Sequence, residues 1–191
     1  MQSVTLHGRI VRLDPMTIQH VPALAEVGLE PELWRLQPAP ICTLEDMRRY
    51  VENALDEYRK GSGLPFVIMD RKTERVIGST RYMDIAPPHR RLEIGATWLT
   101  SGYQRTGANI EAKLLLLTHA FEELGVQRVV FKTEALNEQS RKAIARLGAI
   151  EEGTFRKHLI AASGRARDMV YFSILDTEWP SVREDLQRRL R

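Results

Sequence analysis

The sequence predicts a mixed α/β domain, and three observations carry that prediction. Leu92 to Leu99 alternates apolar and polar residues with the period of two that a strand imposes. Thr43 to Tyr58 repeats apolar residues at helical spacing, and a second such stripe runs from Ile110 to Leu124. Short apolar runs bounded by turn residues lie between and after these helices, so strands and helices alternate along the chain.

Taken in order, Arg9 to Leu13 reads as a short strand closed by Asp14-Pro15. Ile18 to Val27 reads as a weak helix, and the proline-containing stretch Pro31 to Pro40 as a loop. Thr43 and Asp46 form a capping-box pair that starts a helix, with Met47, Tyr50, Val51, Ala54, Leu55 and Tyr58 inward and Gly61 at its end. Strands are expected at Pro65–Met69, at Arg75–Ile85 with an interruption at Gly78, and at Leu92–Leu99. In the last of these, Leu92, Ile94, Ala96 and Trp98 share one face, and Glu93, Gly95 and Thr97 the other. Ser101 to Ala108 reads as a loop, and Asn109 as the start of a long helix whose inward stripe is Ile110, Leu114, Leu117, Phe121 and Leu124. Arg128–Thr133 has the β-branched character of a buried strand. Asn137 can cap a helix that turns Ile144 and Leu147 inward and stops at Gly148. A hairpin, Phe155–Ile160 with Asp168–Leu175 turned at Ser163-Gly164, and a short helix from about Pro180 complete the chain.

A length of 191 residues fits one domain, 1–191, with a core from about 8 to 179 and a C-terminal helix over 180–191. A hydrophobic fraction of 43%, with 9 prolines and 12 glycines, excludes disordered and low-complexity classes. The single cysteine, Cys42, excludes a disulfide framework, and no signal peptide or membrane-length apolar run is present, so a cytoplasmic protein is expected. The net charge of +3 is small, acids and bases are interspersed, and nothing of nucleic-acid-binding type appears, so neither a nucleic acid nor a membrane is expected as partner. The five histidines are scattered without Cys/His clusters, and no metal site is expected.

The strongest local signal is a strand feeding a small-residue loop into a helix, at Gln104-Arg105-Thr106-Gly107-Ala108. The first N–H groups of a helix lack intrahelical acceptors and the dipole favours negative charge, so such a junction can hold an anion. Gly107 could let the backbone approach a phosphate, or could be there for its backbone angles alone; spacing leaves both open.

With these residues in view, the chain resembles the GNAT superfamily of acetyl-CoA-dependent N-acyltransferases. Its Q/R-x-x-G-x-G/A signature is matched by Gln104-Arg105-Thr106-Gly107-Ala108-Asn109, with Asn109 in place of the usual Gly or Ala. Leu92 to Leu99, Glu111-Ala112, Asn137 to Ser140, Leu147 to Ala149, Glu152-Gly153 and Asp168 to Tyr171 extend the likeness toward the ribosomal-protein N-terminal acetyltransferase branch. It runs from about Gly8 to Trp179 and implies a mixed, mostly antiparallel twisted sheet flanked by helices.

The resemblance also implies roles. The backbone of Thr97, Trp98 and Leu99 pairs with the pantetheine arm of acetyl-CoA, as an added strand pairs with a sheet edge. Gln104, Arg105, Thr106, Gly107, Ala108 and Asn109 cradle the pyrophosphate; Asn137 bonds the pantetheine, and Ser140 lies near the thiol. Glu93 is the candidate base that takes a proton from the amine, the alternative being a strand carboxylate paired with Arg91 or Arg81. Ile144 stands where many relatives carry a tyrosine acid, leaving Ser140 as the residue that assists the thiolate. Trp34 either lines the acceptor pocket or anchors its loop. The expected reaction is acetyl transfer from acetyl-CoA to a primary amine, with a protein N-terminus as acceptor. The alternatives are a small amine or amino acid as acceptor, or a non-catalytic acyl-CoA-binding module. A homodimer is an open option that the sequence does not decide.

Overall fold

The computed structural model describes residues 2–191, in which eight strands form one sheet of order β1-β2-β3-β4-β5-β6-β8-β7. They are β1 (Leu6–His7), β2 (Val11–Pro15), β3 (Leu64–Asp70), β4 (Val76–Ala86), β5 (Arg91–Leu99), β6 (Arg128–Glu134), β7 (Ile150–Ile160) and β8 (Ala166–Leu175). The β5–β6 pairing is parallel and every other pairing is antiparallel. The helices are α1 (Val21–Gly28), α2 (Pro31–Trp34), α3 (Leu44–Arg59), α4 (Gly107–Thr118), α5 (Glu138–Ala145) and α6 (Trp179–Arg189). No helix among the described residues is long and apolar enough to cross a membrane.

The sheet is covered on both faces. Leu92, Ile94, Leu99, Val129 and Phe131 pack with α4, α5 and α6 on one face. On the other, Val67, Val76 and Trp98 pack with α1, α2 and α3 through Leu24, Trp34, Met47 and Val51. The capping box at α3 forms as the sequence dictates: the Thr43 hydroxyl accepts from Asp46 N–H at 3.1 Å, and the Asp46 carboxylate accepts from Thr43 N–H at 3.0 Å.

Several expectations need correction. The even alternation along β5 breaks at Ala96, whose φ is +47°. Ser79 pairs with Trp98 and Arg81 with Gly95, so Ala96 and Thr97 together oppose Thr80. This β-bulge reverses the alternation, so Leu99 joins the face of Leu92 and Ile94, while Trp98 moves to the opposite face. Gly78 does not interrupt β4; a Cβ there would lie 2.1 Å from the Trp98 carbonyl oxygen, so the residue permits close strand approach. Helix α4 begins at Gly107 rather than Asn109, and its buried residues include Ala108, Ala112, Leu116 and Leu117. Small residues there let the helix lie close to the sheet, while Ile110, Leu114, Phe121 and Leu124 are only half-buried. Phe121 stacks on Trp179 of α6 at 5.4 Å, because α4 is sandwiched between sheet and α6. The Pro31–Pro40 stretch opens with the short α2, and β1 was not foreseen.

Candidate functional site

The arrangement centres on one divergence in the sheet. β5 and β6 pair only at Arg91–Arg128, Leu92–Val129 and Glu93–Val130. Beyond Glu93 the two parallel strands separate, and β5 continues with β4 as its partner through Gly78–Leu99. The edge of β5 from Gly95 onward thus faces a gap rather than a strand. α4 starts just past the end of β5 and α5 just past the end of β6, so both helices begin at the open end of this wedge. The Gln104 amide donates to the Leu99 carbonyl at 3.2 Å and accepts from the Gln139 amide at 3.4 Å, linking the two rims.

At the first rim, Thr106 is the N-cap of α4: its hydroxyl accepts from Ala108 N–H at 3.2 Å and donates to Tyr103 carbonyl at 2.8 Å. Arg105 is exposed and takes a left-handed φ of +60°, which turns the chain into the helix. A Cβ on Gly107 would meet Ile10 Cδ1 at 2.8 Å and Leu190 Cδ2 at 3.4 Å. Its missing side chain therefore leaves room for the Ile10 contact. Apart from the Ala108 N–H held by Thr106, the first N–H groups of the helix and its dipole are of the kind that can favour an anion.

Glu93 lies at the point of divergence, 3% exposed, on the face opposite Leu92 and Ile94. Its partner is neither Arg91, which bonds Asp84, nor Arg81, which bonds Glu57 at 3.0 Å and covers the Tyr50 ring at 5.1 Å. Lys132 of β6 pairs with it instead, Nζ to Oε2 at 2.8 Å. Burial raises the Glu93 carboxyl above the ordinary glutamate range, and the Lys132 ammonium opposes that shift without cancelling it. Sequence reasoning missed Lys132; a lysine inside an otherwise buried strand was the available signal.

At the second rim, the Asn137 side chain caps α5 by accepting from Ser140 N–H at 3.0 Å. Ser140 is half-buried in the first turn, and Ile144 is buried in the core shared with α4. α5 therefore packs on the face away from Glu93, and the two catalytic candidates belong to opposite faces of the sheet at the same divergence. The bulge also separates Thr97 from Glu93. The Thr97 hydroxyl bonds Thr80 Oγ1 at 2.7 Å and Lys113 Nζ at 2.5 Å on the α4 side.

On the α3 side, a cavity of about 250 Å³ lies between the α2 loop and the tip of the β7–β8 hairpin. Trp34 borders this cavity and is anchored by donating to the Gly28 carbonyl at 2.7 Å and packing edge-on to Trp98. Glu134 joins loop and hairpin, since Arg167 bonds both Glu134 Oε2 at 2.7 Å and the Leu36 carbonyl at 2.9 Å, and Arg165 bonds the other carboxylate oxygen. His119 stacks on Tyr82 at 5.8 Å, and Cys42 is exposed.

Residues 11–150 match the family described as "Acetyltransferase (GNAT) domain". YdaF of Bacillus subtilis is 38% identical over 91 residues, a match that spans 48% of this chain and only about half, 49%, of that protein. The ribosomal-protein-serine acetyltransferase of Escherichia coli is 25% identical over 172 residues, 88% of this chain and 94% of that one. The solved structure of Mycobacterium smegmatis RimJ in complex with CoA-disulfide superposes with a TM-score of 0.81 at 23% identity, covering 99% of this chain and 94% of that one.

Proposed function

Because the chain belongs to the GNAT acetyltransferase family, we propose that it moves the acetyl group of acetyl-CoA to a primary amine, with the N-terminus of a protein or peptide as acceptor. The observation that carries this reading is the buried Glu93 at the fork where β5 and β6 part, beside an unpaired strand edge that leads to a helix N-terminus. An extended thiol arm fits along the β5 edge at Thr97, Trp98 and Leu99, by the hydrogen bonding that adds a strand to a sheet. The N–H groups from Arg105 to Asn109 receive the pyrophosphate, with the Gln104 side chain retained on Leu99. Asn137 and Ser140 face the arm from the second rim.

In the reaction the amine nitrogen, freed of one proton by Glu93, attacks the thioester carbonyl carbon. The carbon–sulfur bond breaks, the nitrogen sheds a second proton as the amide forms, and the thiolate takes up one proton, donated by the Ser140 hydroxyl, which regains it from solvent. A backbone N–H of β5 stabilises the oxyanion. RimJ bound to a CoA compound supports the co-substrate, and the Escherichia coli relative's name supports a protein acceptor. The cavity between the α2 loop and the hairpin tip receives the acceptor.

A screen of CoA release from acetyl-CoA tests this, with N-terminal peptides beside amino acids and polyamines. Turnover with peptides supports the reading. Turnover with small amines alone overturns the protein acceptor, and no turnover with any amine overturns the transfer reaction in favour of an acyl-CoA-binding module.

A further inference from the structure

We infer that Lys132 is a positioning residue for acetyl transfer: its ammonium holds Glu93 ionised and fixed at the fork of β5 and β6. The inference rests on the reading of Glu93 as the group that takes the amine's proton.

The geometry is specific. Val130 of β6 stands directly opposite Glu93 of β5, in the last pair before the strands separate. Lys132 lies two residues further along, on the same face as Val130, and its Nζ reaches Glu93 Oε2 at 2.8 Å. A Cβ on Gly95 would lie 2.7 Å from Glu93 Oε1, so the second carboxylate oxygen rests against bare backbone. The carboxylate is thus held between a cation on one wall of the fork and a glycine on the other.

Charged groups on the other elements around Glu93 are committed elsewhere. Arg81 of β4 is bonded to Glu57 of α3, and Asp84 of β4 to Arg91. Arg81 favours ionised Glu93 from a distance and Asp84 disfavours it, while Lys132 makes the direct bond. A carboxyl this buried gravitates to its neutral form, which cannot accept a proton. Lys132 is suited to oppose this because it is not itself sealed in. Its side chain borders an open cleft of about 280 Å³ with Glu57, Ser62, Met83 and Asp84. The ammonium therefore keeps part of its hydration while bonding a buried oxygen, which lowers the cost of burying the pair.

Lys132→Met removes the cation and leaves the stem, and Lys132→Arg restores it; Lys132→Gln serves if the methionine variant folds poorly. Two readouts are needed. Carbon-13 NMR of the glutamate carboxyls, with Glu93→Gln assigning the resonance, follows Glu93 ionisation without any substrate. The pH profile of kcat/KM follows its use. In Lys132→Met the Glu93 midpoint is expected to rise by about one unit or more, which is about tenfold in the ionised fraction below it. The acidic limb of the rate profile should move by the same amount, so activity falls about 10-fold at pH values below the wild-type midpoint and recovers in base, with acetyl-CoA affinity unchanged. Lys132→Arg should return both readouts to the wild-type values. An unmoved Glu93 midpoint overturns the inference, and so does a midpoint that moves while the rate profile stays. Wild-type turnover by Glu93→Gln instead overturns the underlying assignment of the base, whatever the midpoint does.

Discussion

The Glu111 carboxylate of α4 accepts the Val11 N–H at 2.7 Å, a bond between residues 100 positions apart. The same carboxylate accepts from Ile10 at 2.6 Å and Arg9 at 2.9 Å, so one buried side chain satisfies the whole turn between β1 and β2. Gly8 is required beside it, since a Cβ there would lie 2.4 Å from Glu111 Oε2. Removing the carboxylate strands three N–H groups, that of Val11 buried and those of Ile10 and Arg9 partly so. Glu111→Ala should cost about 3–5 kcal/mol, measured by urea unfolding, and lower Tm by roughly 10 °C. A loss below about 1 kcal/mol would mean that water replaces the carboxylate.

The N-terminus of α4 allows stability and binding to be changed in opposite directions. Asn109 is the third residue of the helix, half-buried, in the turn that carries the dipole's positive end. Asn109→Asp should stabilise the free protein by about 0.3–1 kcal/mol and weaken acetyl-CoA binding by about 3- to 10-fold, because it adds charge at the proposed pyrophosphate site. Calorimetric titration beside thermal unfolding checks both signs. Gly107→Ala, in contrast, should change stability by less than about 1 kcal/mol, because its Cβ meets only the movable Cδ1 tip of half-buried Ile10 and alanine favours the helix.

Lys113 is buried on α4 without a carboxylate partner, held by Thr97 and Thr80, and burial pushes its ammonium down to about 7. The sign follows from linkage. Between about pH 7 and its ordinary value of 10.5 the unfolded chain binds the proton and the folded one does not, so folding becomes more favourable as pH rises. Lys113→Met should therefore be more stable than wild type at pH 7 by up to a few kcal/mol, offset by the lost threonine bonds, and the advantage should fade toward pH 10. The difference between paired urea titrations at several pH values measures it. An advantage independent of pH would contradict a neutral buried amine.

Glu134 should matter more for the acceptor loop than for the fork. Hydrogen bonding from Arg165 first, and from Arg167, holds its carboxyl below the ordinary range. Its contribution is thus present above the ordinary glutamate pKa and is lost as acid protonates it. Glu134→Gln leaves Arg167 buried with an unpaired charge, a change worth about 3–5 kcal/mol at neutral pH. The gap to wild type should close in acid. Because Arg167 also holds the Leu36 carbonyl, the acceptor KM should rise more than that for acetyl-CoA.

The sequence made most of these elements legible through local signals. Thr43 with Asp46, Asn137 and Gly148 mark helix ends by chemistry that acts within a few residues. What it hid was decided by distant contacts. The bulge at Ala96 leaves no local trace, since alanine gives no warning of a positive φ, and it moved Trp98 and Thr97 to unexpected faces. The buried seam of α4 was misjudged because the stripe that carries Phe121 is only partly covered, by Trp179 of α6 much later in the chain, while the deepest positions are Ala108, Ala112, Leu116 and Leu117. Lys132 and Glu111 act across the sheet or between elements, and neither has a short-range pattern. The candidate residues were named from the ordered series of motifs, and their structural partners, such as Lys132 for Glu93, were not.

The central claim is that Glu93 takes the proton from the attacking amine. The most direct measurement is the pH–rate profile of Glu93→Gln with an accepted amine, alongside its acetyl-CoA affinity. The substitution keeps the shape and removes the base, so affinity should stay while turnover near pH 7 falls by roughly 100-fold or more. The loss should shrink as pH rises toward the amine's own pKa, where hydroxide performs the deprotonation. Turnover equal to wild type at neutral pH would contradict the account and leave Glu93 as a strand carboxylate paired with Lys132.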